Sequence, residues 1–251
     1  MSEGGRPTSA QTLGIVGCGR MGSALAHAFA TRHMPMFLTS RRGHSAATLA
    51  ELLPGTHALP LERLAVEADV IVLATPIAAT FFEVAPRIRG AVVGKPVIDP
   101  SNPGFGRLPP ESNGVSAGEL VACAMPGSGV VKALNCLSAR QVAQVAKQSG
   151  SGLTPTVPIA GDDVQAKRTV RSILERVGFH VADAGDLRGS RLIEGLAELL
   201  VRVGKETGDA VGFRLVGSPG GSSKTAETLS GFRLRGNREP SHHTGSMGGG
   251  T

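Results

Sequence analysis

The sequence predicts an α/β fold, a doubly wound parallel sheet with a small C-terminal α+β domain, and three observations carry that prediction. From residue 12 onward, short apolar runs alternate with helix-length amphipathic stretches, the pattern of a parallel sheet covered by helices. The first run leads straight into a glycine-rich turn and then a helix-like segment. Beyond residue 136 only two further extended runs follow, each beside a helical one.

The strand-like runs of the first part are TLGIVG, MPMFLTS, a weak THALP, DVIVLATP, KPVIDPSN and GVVKALN. Between them SALAHAFATRH, SAATLAELL, LERLAVEA and ATFFEVAPRIR place apolar residues at helical spacing. Together they predict a sheet of about six strands. In the second part SARQVAQVAKQ reads as a helix and TPTVPIAG as extended. DDVQAKRTVRSILERVG reads as a helix with Asp162 and Asp163 at its start, and FHVADAG as extended. GSRLIEGLAELLVRVGKETG, opened by Ser190, is the longest helical run. The expected organisation is an N-terminal extension over 1–11, a Rossmann domain over 12–136, a small domain over 137–216, and a disordered Gly/Ser/Pro-rich tail over 217–251.

Composition narrows the function. The 251 residues with 41% hydrophobic content suffice for a core. No apolar run approaches the ~18 residues of a membrane span. The start, MSEGGRPTSAQ, lacks the pattern of a signal peptide, so a soluble, cytoplasmic protein is expected. Cys18, Cys123 and Cys136 are isolated, which indicates neither a disulfide framework nor a metal site. The net charge of +6 is spread along the chain, and 3% aromatic content offers no platform for stacking bases, so nucleic acid is not an expected partner. Anionic small molecules are. With no tyrosine, the chain cannot form the Tyr-x-x-x-Lys pair of short-chain dehydrogenases.

GIVGCGRMGSALA carries Gly17, Gly19 and Gly22 in GxGxxG spacing between a strand and a helix. The first glycine permits the tight turn, the second lets the backbone approach a pyrophosphate, and the third lets helix and strand pack closely. The helix N-terminus adds amide donors for phosphate. Where an acid would accept bonds from the ribose hydroxyls of NAD, this chain has Thr39, Ser40, Arg41 and Arg42. Hydroxyls and guanidinium groups grip a 2′-phosphate through charge-assisted bonds, so NADP(H) is the expected cofactor. Ala74, Thr75 and Pro76 end a central strand where the pyrophosphate and nicotinamide ribose should pass. Ser101 and Asn102 follow the next strand and suit either a structural turn or a cofactor contact.

With GIVGCGRMG, TSRR, ATP, IDPSNP, VVKALN and SRLIEGLAELL in this order, residues 12 to 212 resemble the deazaflavin-dependent NADP oxidoreductases. VVKALN, then GDD, then DAGDLRGSRLIE is the most specific part of the match. The resemblance implies hydride transfer between NADP and coenzyme F420, or to a flavin as in the oxidoreductase domains of membrane metalloreductases, which share the fold. It implies an acceptor in the cleft between the two domains. It also puts Gly17, Arg20 and Met21 along the pyrophosphate, Ser40, Arg41 and Arg42 at the 2′-phosphate, and Thr75 and Pro76 beside the nicotinamide ribose. Ala133 and Asn135 would flank the nicotinamide ring. The chain departs from the deazaflavin enzymes at Asn135, where they carry histidine, and at Gly195 and Ala197, where they carry small hydroxyl residues.

Hydride exchange between stacked rings demands positioning and little proton chemistry. A small ketone or imine acceptor would instead need a proton donor, for which Lys132, Asp99 and Glu194 beside Arg191 are candidates, each with a purely structural alternative. Asn135 and Lys132 are therefore the expected catalytic positions. Two rival readings stand beside hydride exchange with a deazaflavin or flavin: an NADPH reductase of a small organic substrate, and a non-enzymatic NADP-sensing module. SRLIEGLAELLVRV is apolar on more than one face, which predicts a homodimer.

Overall fold

A computed structural model describes residues 11–103, 114–147 and 154–216. The expected extension, apart from Gln11, and the 217–251 tail lie outside the described residues. Six strands form one parallel sheet: β1 Leu13–Val16, β2 Met36–Thr39, β3 Thr56–Ala58, β4 Val70–Leu73, β5 Pro96–Asp99 and β6 Gly129–Lys132, in the order β3-β2-β1-β4-β5-β6. All six coincide with the apolar runs. β1 and β4 are buried at every position, as expected of central strands covered on both faces.

Alternation along the strands divides the core. Val70 and Val72 face one side of the sheet with Leu13, Ile15 and Leu38, while Ile71 and Leu73 face the other with Val16 and Val97. On the first side lie α1 Arg20–Ala30, α2 His44–Leu52, α7 Ala139–Lys147 and α8 Val164–Val177. On the second lie α3 Leu61–Glu67, α4 Ile77–Ala79, α5 Ala85–Ile88 and α6 Ala117–Ala124. Each fully buried large side chain, such as Phe29 of α1, contributes roughly 1.5–3 kcal/mol.

Two elements differ from the sequence reading. ATFFEVAPRIR is not one uniform helix: α4 passes through a π turn over Thr80–Val84 into α5. Pro86, at the start of α5, lacks the N–H that an unbroken helix would direct to the preceding turn, and the wider turn accommodates its ring. The second difference is α6, which the apolar pattern leaves unread. Its signal is a capping box: Ser116 Oγ accepts from Glu119 N at 3.2 Å, and the Glu119 carboxylate accepts from Ser116 N at 2.8 Å.

The remaining elements are a two-stranded parallel sheet, β7 Thr156–Ile159 and β8 His180–Asp183, joined by α8, and then α9 Ser190–Thr207. Asp163 caps α8, accepting from Gln165 N and Ala166 N, and Gly178 ends it in the left-handed region. α9 follows a 3₁₀ turn, Leu187–Gly189, and Ser190 is its first helical residue rather than its cap. Its hydroxyl serves elsewhere, bonding Ser116 Oγ at 2.6 Å.

This second part is stitched to the large sheet. Lys132 and Ala160 form an antiparallel bridge, with Lys132 N donating to Ala160 O at 2.8 Å and Ala160 N to Lys132 O at 3.1 Å. Arg32 at the end of α1 donates to the carbonyls of Arg176 and Val177, and Arg176 donates back to Arg32 O. Residues through Arg214 consequently belong to one compact unit. A second unit begins at Leu215, of which only Leu215 and Val216 are described.

Arg191 at the start of α9 forms two parallel bonds of 2.8 Å to Glu119 of α6. These bonds, with those from Ser116, hold the Glu119 carboxyl down at about 2, below its ordinary 4.5. A depressed carboxyl contributes stability that is present above its ordinary value and lost as pH falls toward the folded-state value. Glu119→Gln should therefore lower Tm at pH 7, and the gap from wild type should narrow between pH 4.5 and pH 3. Thermal denaturation across that range would show a constant gap if the α6–α9 pair contributed nothing.

Candidate functional site

The carboxyl ends of β1, β4, β5 and β6 open into a cavity of about 770 Å³, closed on its far side by the start of α7, by α9 and by Asp209–Val211. This is the crevice at which open α/β sheets take their ligands.

The glycine turn fixes one wall. Gly17 has φ +101, and a Cβ there would stand 2.6 Å from the Ala74 carbonyl oxygen. At Gly22 a Cβ would come within 1.8 Å of Gly17 O, so α1 can cross the turn only with glycine. Gly19 differs: nothing lies within 4 Å of where its Cβ would be, and it precedes α1 without any side-chain cap. The first turn of α1 thus offers uncapped amides to an open space, a cradle for an anion.

After β2 the Thr39 carbonyl accepts from Gly17 N at 2.8 Å, tying the arginine loop to the glycine turn. Ser40 O accepts from Gly43 N, and Ser40 Oγ accepts from Ala46 N at 3.2 Å at the start of α2. Arg41 Nη2 lies 3.0 Å from Glu83 Oε1 of the π turn, both side chains more than half exposed. Arg42 is exposed and forms no ion pair among the described residues. The two guanidinium groups therefore stand at the surface beyond β2, outside the cavity lining.

On the other side Thr75 Oγ1 and Thr80 Oγ1 bond at 2.7 Å, fixing the turn out of β4 against the π segment. Asn102 and Asn135 are paired: Asn102 Nδ2 donates to Asn135 O at 2.7 Å, and Asn135 Nδ2 donates to Asn102 Oδ1 at 3.0 Å. Leu134, just before Asn135, has φ +66, unfavourable for a branched apolar residue. Cys136 also lines the cavity, but burial pushes its thiol up to about 12, and burial pushes Cys18 to about 11. Neither is a thiolate at neutral pH.

Beneath the floor lies a buried ion cluster. Lys132 Nζ reaches Asp99 Oδ2 at 2.9 Å, Glu194 Oε1 at 2.8 Å and Ser101 O at 2.6 Å. Glu194 also accepts from Ala117 N at 3.1 Å and Gly118 N at 3.2 Å, so the first amides of α6 share its charge. Lys132 and Asp99 have no exposed surface.

The residues singled out in the sequence fall into three groups. Gly19, Arg20, Met21, Ala74, Thr75, Pro76, Ser101, Asn102 and Asn135 line the cavity. Gly17, Gly22, Thr39, Ser40, Arg41 and Arg42 shape or flank it. Lys132 and Ala133 are fully buried behind it, which corrects the expectation that Lys132 reaches a reacting atom: its three N–H bonds are all taken inside. Ala133 likewise lies off the cavity wall. The walls contributed by Arg140 and Gln141 of α7 and by Leu200, Val201 and Lys205 of α9 were missed. Both helices are legible as amphipathic segments, but which face meets the cleft is set by packing.

The sheet order, the glycine turn and the cleft define an NAD(P)-dependent oxidoreductase of the Rossmann type. Residues 12–103 match the family described as "NADP oxidoreductase coenzyme F420-dependent". Rat metalloreductase STEAP3 (Rattus norvegicus) is 27% identical over 191 residues, 76% of this chain but 37% of the relative, so the chain spans little more than a third of that protein. A hypothetical protein of Sinorhizobium meliloti is 30% identical with TM-score 0.61, covering 72% of this chain and 87% of its own. A protein of Arthrobacter sp. FB24 assigned as an F420-dependent NADP reductase shares the fold at TM-score 0.71 and 24% identity, covering 82% of this chain and 100% of its own.

Removing the Lys132 ammonium would leave two buried carboxylates without a cation. Lys132→Met should lose about 3–5 kcal/mol of unfolding free energy in chemical denaturation. A loss under 1 kcal/mol would mean that the cluster does not hold the floor of the cleft.

Proposed function

We propose that the protein exchanges hydride between NADP(H) and a deazaflavin or flavin acceptor seated in the cleft. The observation that carries this reading is the pairing of an uncapped glycine turn with the Ser40-Arg41-Arg42 loop, which has no acid where NAD would need one. In this reading 12–136 is the NADP-binding half and 137–216 is the half that closes the acceptor cleft. Bound NADPH supplies the hydride. The chain's own part is to position and to shield: α1 and Gly19 receive the pyrophosphate, and Ala74, Thr75 and Pro76 line the way to the nicotinamide end. The mostly apolar α9 wall, with Ala197, Leu200 and Val201, excludes water from the acceptor face.

The geometry favours exchange between cofactors over reduction of a ketone or imine. Lys132 and Asp99, two of the donor candidates read from the sequence, are enclosed, and the Cys136 thiol is held far above neutral. Asn135 is proposed as the residue beside the reacting ring, its amide oriented by Asn102 and by Ile193 O. A homodimer through the exposed Leu192, Leu199 and Val203 of α9 belongs to the same proposal, and light scattering at micromolar concentration should give twice the chain mass.

Following NADPH absorbance with coenzyme F420, FAD and FMN offered in turn tests the acceptor. Rapid oxidation with the deazaflavin or a flavin is expected, and tight NADPH binding without oxidation by any of them would defeat the proposal. Arg41→Ala and Arg42→Ala should each raise the NADPH Kd about tenfold to a hundredfold and leave NADH binding nearly unchanged. Equal losses for both dinucleotides would show that neither arginine reads the 2′-phosphate.

A further inference from the structure

The wall that closes the cavity opposite the strand ends carries two cations without a partner. Arg140, the second residue of α7, and Lys205, in the last turn of α9, both line the cavity and are both exposed. Neither forms a hydrogen bond or ion pair among the described residues. Asp209 is the one carboxylate among the described lining residues, and no ion pair joins it to either cation.

The helices do not account for this placement. Arg140 sits at the positive end of α7, where a cation is unfavourable, and the capping bonds between Ser138 and Gln141 leave it out. Lys205 suits the negative end of α9, but it also lines an adjoining cavity of about 650 Å³. There Arg191 and Arg202 are each joined to a carboxylate, Glu119 and Glu198, which leaves Lys205 as the unpaired cation of that lining. Its ammonium belongs to the wall the two cavities share.

The proposed cofactor leaves both charges unused. Its 2′-phosphate belongs beyond β2 and its pyrophosphate at α1, where other donors meet them. Those phosphates also make the cleft negative, which repels a second anion unless the opposite wall supplies cations. We infer that the acceptor itself carries an anionic group, a phosphate or a carboxylate, and that Lys205 and Arg140 receive it. The inference rests on the proposed function and narrows its acceptor to a charged class.

Two ligand pairs test this. FMN and riboflavin share a ring and differ by a phosphate; coenzyme F420 and its deazariboflavin core share a ring, and only the coenzyme carries the anionic side chain. Fluorescence titration gives each Kd, with the protein saturated in NADP⁺ so that the cofactor's phosphate sites are filled and no hydride is available. Within a pair the charged member should bind at least about tenfold more tightly, and Lys205→Gln and Arg140→Gln should each cut that preference roughly fivefold to tenfold. Affinity for the neutral member and Tm should stay unchanged, and Lys205→Arg should keep the preference. Arg89→Gln, which removes an exposed cation outside both cavities, should leave the preference intact. Equal affinity within whichever pair binds would overturn the inference. So would a preference that neither cavity variant reduces, or that Arg89→Gln reduces as much. Wild-type protein that binds none of the four would defeat the acceptor reading itself, a distinct result.

Discussion

One buried ammonium holds the cleft together. Lys132 draws Asp99 of β5, Glu194 of α9 and the Ser101 carbonyl onto a single nitrogen, and Glu194 passes part of its charge to the amides of α6. Four elements thus meet at a point with no exposed surface on the lysine. Burying three charges costs several kcal/mol per ion, and the attraction among them offsets that only when every polar atom is paired. Here pairing is nearly complete, which makes the arrangement of β5, β6, α6 and α9 all-or-none: an element that drifts leaves a charge uncompensated. A hydrophobic cluster would tolerate sliding, whereas this one specifies position.

That specification reaches the cleft by two short covalent paths. From Asp99 the chain runs through Pro100 to Ser101 and Asn102. From Lys132 it runs through Ala133 and Leu134 to Asn135. Leu134 adopts φ +66, a conformation that costs of order 1–3 kcal/mol and persists only where its surroundings enforce it. The enforcement is visible: the bridge from Lys132 to Ala160 holds one side of the turn, and Leu137 N donates to Leu134 O on the other. The strained residue is what lets Asn135 reverse direction and meet Asn102. Close approach between α6 and α9 completes the frame, since a Cβ at Gly118 would stand 3.1 Å from the Ser190 side chain.

How much of this was legible in the sequence depends on the range of the interaction that fixes it. Five of the six strands were readable because parallel strands buried on both faces are written as apolar runs, whereas the edge strand β3, exposed at His57 and Ala58, reads only weakly. The turn was readable because Gly17 and Gly22 occupy places where a Cβ would collide with Ala74 O and Gly17 O. Asp163 was readable as a cap because its partners lie two and three residues on. α6 was missed although its Ser116/Glu119 capping box is equally local; its small residues gave no conspicuous apolar face, and attention to that motif would have found it. The ion cluster could not have been assembled this way. Asp99, Lys132 and Glu194 were each noticed as separate candidates for proton transfer, but only tertiary packing brings them to one point, and burial there turns a candidate donor into a structural tie.

The arginine loop shows the opposite regime, where exposure keeps an interaction weak and exchangeable. Arg41 already has a carboxylate partner in Glu83, a competitor for the 2′-phosphate of the proposed cofactor. Both side chains are more than half exposed, and an ion pair in that setting contributes about 0–1 kcal/mol. A charge-assisted bond to phosphate contributes roughly 1.5–3 kcal/mol, and a phosphate offers several oxygens to the planar guanidinium fork. In the proposed complex the phosphate would take the place of Glu83. Glu83 meanwhile holds Arg41 across the gap between the β2 loop and the π turn. The same pair of charge types that locks the floor of the cleft when buried serves at its rim as a replaceable partner, and solvent exposure is what separates the two roles.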